Sequence, residues 1–203
     1  MSNYSVFLRA FEPDDYLLTH KWRNDPEIQR LIAGHRRYVS SEMEKEWVRS
    51  KMLNNSTDIY WAICRNDEEK KMIGYISVNN IDHWTRMASA GGIVIGDRSE
   101  QNTFAAIEAS VLILKYAFEE LNMHKVYASC LKDHKSVVAL TLGIGYKYEG
   151  TLRDNKFKAG RYHDEETFSM LEDEYFVAKA EGRLEVRAIM KRVVELRKGM
   201  KKM

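Results

Sequence analysis

The sequence predicts an α+β fold: a mixed, mostly antiparallel central sheet flanked by helices, with a C-terminal helical extension. Three observations predict it. Alternating or apolar runs mark strands in the first half, at residues 4–11, 58–65, 71–82 and about 86–95. An apolar stripe (Phe104, Ile107, Val111, Leu114, Phe118, Leu121) follows the spacing of one long helix face. A strand (124–131), a helix (133–146) and a hairpin (146–172) come after it. The strand–helix–strand unit in the middle therefore builds one parallel pair by a crossover.

Each element has a local reason. YSVFLRAF (4–11) alternates as a strand does. Pro13 opens a helical segment through Arg23, where proline suits an early position. Pro26 ends it, because Asp25 before a proline is disfavoured in a helix. Ser41 with Glu44 fits a capping box for a helix over 40–52. DIYWAICR (58–65) and KMIGYISVNNID (71–82) flank the polar turn NDEEK and should pair as a hairpin. The next strand ends in GGIVIGD. The helix over 133–146 should stop at Gly143 or Gly145. The last hairpin should turn near Lys158, Ala159 and Gly160. Residues 173–200 read as one charged amphipathic helix.

A chain of 203 residues, 44% hydrophobic and 31% charged, can bury a sizeable core and is not a disordered segment. The net charge of +2 gives no global field toward nucleic acid. Residues 183–203 are the exception, with eight basic residues against two acidic ones. Such a run suits an RNA-associated or acidic partner, or the solvated face of a helix packed on its own domain or on a second subunit. Its apolar residues Leu184, Ile189, Val193 and Leu196 leave room for a homodimer. Cys64 and Cys130 sit in apolar runs without metal-ligand spacing, so buried free thiols and no metal site are expected. Trp22, Trp47 and Trp61 are expected in the core. No signal-peptide core and no run of ~20 apolar residues is visible, so no membrane contact and a cytoplasmic location are expected.

Several motifs, in order, resemble the GNAT superfamily of acyl-CoA-dependent N-acetyltransferases. They are LRAFEPDD (8–15), WRNDPE (22–27), IGYISVNNID (73–82), IVIGD (93–97), YAFEELNMHKVYASCL (116–131), GIGYKYEGTLRD (143–154) and GRYHDEETFSML (160–171). Within it the chain is most similar to the branch of ribosomal-protein alanine, spermidine and nucleotide-sugar amine acetyltransferases. The resemblance implies a GNAT-like domain over 1–172, followed by a basic amphipathic helix over 173–203. It implies acetyl-CoA as co-substrate.

In this family a loop Gln/Arg-x-x-Gly-x-Gly/Ala holds the cofactor pyrophosphate. Here it reads Gln101, Asn102, Thr103, Phe104, Ala105, Ala106. A helix N-terminus offers free N–H groups and a positive dipole end to an anion. Glycine lets that anion approach closely, and Phe104 puts a ring there. Phe104 also fits as the first rung of the apolar stripe. The resemblance further implies that Val94 and Ile95 offer backbone N–H groups to the pantetheine arm and the thioester oxygen. His134 takes the place of a family asparagine, Val137 that of a small residue, and Thr141 that of the tyrosine that protonates the departing thiolate. His134 can donate to a cofactor group or serve as the acid. Ala90 takes the place of a glutamate base. Arg23 and Asn24 match the wall of the acceptor cleft, and Tyr162 and Asp164 sit on the final hairpin near it.

The implied reaction is direct attack of a primary amine on an acetyl thioester. A lysine-like amine at pH 7 costs about 4–5 kcal/mol to deprotonate, and an α-amine about 1–1.5 kcal/mol. A site without a strong base therefore suits a protein α-amine or an amino sugar better than a polyamine. The departures at Phe104, Thr141 and Ala90 also fit a second reading, a non-catalytic binding module on the same fold that has lost acyl-CoA binding.

Overall fold

The computed structural model describes residues 4–32, 34, 36–101 and 104–200. Its strands are β1 (Val6–Ala10), β2 (Ile59–Arg65), β3 (Met72–Asp82), β4 (Met87–Ile95), β5 (Lys125–Leu131), β6 (Lys147–Lys158) and β7 (Arg161–Leu171). They form one seven-stranded sheet in the order β1-β2-β3-β4-β5-β7-β6. Every neighbouring pair is antiparallel except β4 and β5. That pair is joined by α4 (Ala105–Lys115), the crossover helix the striped segment predicts. Ile107, Val111, Leu114 and Phe118 are all buried, the last in a π-helical turn, Tyr116–Glu120, that ends α4. Phe104 is not the first rung. It stands outside the helix, half exposed.

The two sheet faces have different partners. On one, α4, α5 (Lys135–Ile144), α6 (Glu172–Ala180) and α7 (Val186–Met200) enclose the larger core with Ile63, Ile76, Val126 and Phe168. On the other, α1 (Tyr16–Asn24) and α3 (Ser41–Leu53) cover only the β1–β4 half, around Phe11, Trp22, Val48 and Tyr75. Trp22, Trp47 and Trp61 all belong to these clusters. Glu108 of α4 ties in the first strand: its Oε2 accepts from Ser5 N (2.9 Å), Ser5 Oγ (2.7 Å) and Val6 N (3.2 Å).

Three local readings are corrected and one is narrowed. Pro26 ends α1 but also opens a short helix, α2 (Pro26–Leu31), with Asp25 as its N-cap accepting from Glu27 N. The N-cap of α3 is Ser40, not Ser41, and Glu44 is buried beneath the helix instead of closing a capping box. Of the two candidate stops for α5, Gly145 (φ 123°) is the one used. The tail is two helices, α6 and α7, parted at Gly182, where φ is +67°. Ile189 and Val193 of α7 are buried, and Arg192 Nε donates to Gly143 O (2.8 Å), so α7 lies along α5. Lys201 and Lys202 lie outside the described residues. Cys64 and Cys130 are free and buried, and burial pushes the Cys130 thiol up to about 12. Among the described residues no helix is long and apolar enough to cross a membrane.

Candidate functional site

β4 and β5 pair only at their beginnings, through Met87–Lys125, Ala88–Val126 and Ser89–Tyr127. Beyond Ser89 the strands part and leave a gap. The direction of the β4 amides follows from the antiparallel ladder on its other side. Gly96 N donates to Ile73 O (2.9 Å), which sets the phase. Alternation then points the Val94 amide at its partner Tyr75, and the Ile93 and Ile95 amides away from β3 into the gap. So Ile95 offers its N–H to the gap, while Val94 uses its own in the sheet and buries its side chain under α1 and α3. Ala90 packs against the α4-side core. A carboxylate at position 90 would therefore enter apolar surroundings.

The loop after β4 is braced by the WRNDP segment. A Cβ on Gly96 would lie 2.0 Å from Trp22 Cδ2, so the indole rests on bare backbone. Arg98 pairs with Asp25 (2.9 Å), and this bond holds the Asp25 carboxyl below its ordinary range. Asp97 caps the next turn through Ser99 N and pairs with Lys71 (2.7 Å). Those bonds bring its pKa down to about 2. Gln101 Nε2 donates to Ile95 O (3.1 Å), tying the loop to the end of β4. Asn102 and Thr103 lie outside the described residues.

Phe104 takes the N-cap place of α4 with φ −77° and ψ −3°, a conformation open to any residue, so the backbone there does not demand glycine. No side chain caps the helix through it. The ring lines a groove with Ser5, Val6, Arg65, Asn66 and Glu100. That groove lies at the β1 and β2 ends, on the other side of α4 from the gap. Ala105 is buried and Ala106 half-buried in the first turn, whose N–H groups keep the orientation an anion needs.

His134 is the N-cap of α5, at the gap's open end. Its Nδ1 accepts from Val137 N (3.3 Å), which leaves the proton on Nε2. Burial lowers its pKa, and the charges of Lys158 and Arg30 lower it further. That direction favours the neutral ring, a hydrogen-bond donor through Nε2. Thr141 lies two turns further along the same face, buried. Lys158 reaches over from the β6–β7 turn and donates to Gln29 O, Arg30 O and Ile32 O, joining that turn to the end of α2.

The candidate acceptor residues fall into two groups. Arg23 and Asn24 are engaged internally. Arg23 pairs with buried Glu44 (3.1 Å) and lies 4.5 Å from the Trp47 ring centroid. Asn24 clamps Val39 through both its N–H and its carbonyl. Asp164 accepts from Asp154 N (3.2 Å) and Lys132 Nζ (3.1 Å), which lowers its pKa and pins the hairpin. Tyr162 alone is open, 63% exposed beside Phe157. The structure does not gather these four around one point.

The motif reading passed over the polar surface at the fork. Asn79, Ser89 and Tyr127 sit side by side across β3, β4 and β5. Beyond them on the same face lie Ser129 of β5 and Glu165 of β7, whose side chains are bonded at 2.8 Å. Alternation in YASCL and DEETFSML does flag these residues as off the apolar face. Only the pairing of β5 with β7 brings them together.

Comparison with known proteins agrees with this architecture. Residues 5–147 match the acetyltransferase (GNAT) domain family. A spermidine N(1)-acetyltransferase of Vibrio cholerae is 25% identical over 173 residues, covering 85% of this chain and 96% of its own. A putative ribosomal N-acetyltransferase of Bacillus subtilis is 29% identical over 104 residues, covering 51% of this chain and 56% of its own. Among solved structures, spermidine N-acetyltransferase from Vibrio cholerae in complex with CoA and spermine superposes with a TM-score of 0.77 at 25% identity, covering 86% of this chain and 99% of that one.

Proposed function

The chain belongs to the GNAT acetyltransferase family, and on that premise we propose that it is an N-acetyltransferase that joins an acetyl group from acetyl-CoA to a primary amine by direct attack on the thioester. The observation that carries the reading is the parting of β4 and β5 beyond Ser89, with the Ile93 and Ile95 amides aimed into the gap and two helix N-termini at its mouth. That donor set fits the co-substrate. The strand amides suit the amide-bearing pantetheine arm and the thioester oxygen. The loop after Gly96 and the first turn of α4 suit a pyrophosphate. The thioester supplies an activated acetyl carbonyl, and the chain's part is to hold it beside a neutral amine. Gln101 holds the Ile95 carbonyl in place. Phe104 lines the groove at the β1 and β2 ends. His134, neutral, donates from Nε2 at the mouth.

Lys158 and Arg30 add positive charge beside His134, whose pKa is lowered first by burial and then by those charges. Repulsion there disfavours a polyamine and favours an α-amine or an amino sugar. The test is calorimetric titration with acetyl-CoA and with CoA, followed by thiol-release assays on an alanyl peptide, glucosamine and spermidine. Micromolar binding and turnover of one amine are the expected results. No heat at millimolar CoA would overturn the reading.

A further inference from the structure

The fork between β4 and β5 presents an unusual pair on the face that α1 and α3 leave uncovered. Ser129 is exposed on β5, two residues past the last β4–β5 pair. Its hydroxyl donates to Glu165 Oε1 at 2.8 Å. Glu165 is 5% exposed, a buried carboxylate on β7. Its other oxygen takes Asn155 Nδ2 and lies 3.4 Å from Lys156 Nζ, both on β6. The adjacent Cys130 thiol is pushed up to about 12 by burial. Lys156 is a cation within ion-pair distance of Glu165. Since the Ser129 proton is committed to Glu165, the outward side of Oγ offers lone pairs only. That is a hydrogen-bond acceptor backed by a buried carboxyl group that itself pairs with Lys156.

Its position suits the reaction. Extending the parallel register places Ser129 level with Gly91, and Leu131 level with Ile93. The hydroxyl therefore lies on the same stretch of the fork as the Ile93 amide, two residues short of it along the strand. Gly91 lies close against β3, because a Cβ there would lie 2.1 Å from Ser77 Oγ and 2.7 Å from Asn79 Oδ1. Asn79 Oδ1 is itself buried with no hydrogen-bond partner among the described residues. Buried carbonyls without a donor are rare and costly. A primary nitrogen, with two or three N–H groups, carries the donors that such acceptors lack.

We infer that Ser129 and Glu165 form the proton-accepting pair of the transfer, and that Asn79 Oδ1 seats the acceptor nitrogen. The inference rests on the acetyltransferase reading above. The nitrogen lone pair forms a bond to the thioester carbonyl carbon, and the carbon–sulfur bond breaks with its electrons on sulfur. The nitrogen becomes strongly acidic as that bond forms. Its surplus proton moves to Ser129 Oγ while the serine proton moves to Glu165 Oε1. The thiolate takes a proton from solvent, and Glu165 returns its own to solvent after release. A carboxylate on β7 thereby performs the work that position 90 cannot.

The test uses the full chain with the amine that the wild type acetylates fastest among alanyl peptide, glucosamine and spermidine. Ser129→Ala and Glu165→Gln should each lower kcat ~10²-fold with little change in KM. Ser129→Thr, which keeps the hydroxyl, should stay within a few-fold of wild type. Asn79→Ala should act mainly on KM. CoA affinity by calorimetry should be unchanged in all four. Wild-type kcat in both Ser129→Ala and Glu165→Gln would overturn the relay, as would equal losses in Ser129→Ala and Ser129→Thr. A wild type that binds no CoA, or turns over none of the three amines, would overturn the parent reading and the relay with it.

Discussion

Gly96 carries a quantitative test of how the cofactor loop is held. In Gly96→Ala the new Cβ would lie 2.0, 2.1 and 2.4 Å from Trp22 Cδ2, Cε2 and Cγ. Contacts that close cannot persist, so the indole or the loop must move. Trp22 is 5% exposed and packed in the cluster under α1 and α3, so it has little room to retreat. Overpacking a tight core costs typically 1–3 kcal/mol, and three ring atoms in conflict put this case near ~3 kcal/mol. For a chain of this size that is a fall in Tm of roughly 6–12 °C. The loop carries Asp97, Arg98 and Gln101, whose bonds to Lys71, Asp25 and Ile95 would be strained together. CoA affinity should fall by about tenfold, or about 1.4 kcal/mol. Thermal unfolding and calorimetric titration measure the two effects. A double-mutant cycle isolates the cause: in a Trp22→Ala background, Gly96→Ala should cost no more than about 0.5 kcal/mol. A Gly96→Ala protein with wild-type Tm and wild-type CoA affinity would refute the contact and the bracing role assigned to it.

Two further outcomes are expected. Phe104→Gly should leave CoA affinity within about twofold, because the ring faces the Ser5–Glu100 groove and the backbone is not in a glycine-only region; its stability cost should be about 1 kcal/mol, for half-lost ring burial. Binding tightened tenfold or more by that change would mean that the ring covers the helix amides after all. Arg23→Met should destabilise by about 3 kcal/mol in urea unfolding, because it strands the fully buried Glu44 carboxylate, and adding Glu44→Gln should recover part of the loss. An undiminished unfolding midpoint in the single variant would show that Glu44 is not the partner that matters.

The candidate site was legible in its frame and illegible in its details. IVIGD and the striped helix announced a strand and a crossover, since alternation and helical spacing are properties of neighbours in the chain. The same local signals misplaced particulars. Ser41 and Glu44 matched a capping pattern, yet Ser40 caps and Glu44 turns inward to meet Arg23, a residue 21 positions away. WRNDP gave no sign that Trp22 and Asp25 brace Gly96 and Arg98 across the fold. Gly182 sat unremarked in the tail, where its positive φ parts two helices.

By itself the sequence determined the α+β class, the order of the strands, the parallel pair across the crossover and the turn at Ala159 and Gly160. Each follows from periodicity or turn chemistry within a few residues. Only the tertiary structure decided which way the β4 amides point, because that depends on the phase of the ladder with β3. It alone placed Phe104 at the groove with Ser5 and Glu100 and lowered the His134 pKa, through burial and the charges of Lys158 and Arg30. It alone brought Ser129 to Glu165, 36 residues apart, by laying β7 beside β5. Long-range pairing and local electric field are sums over the whole fold, and no short stretch of sequence contains them.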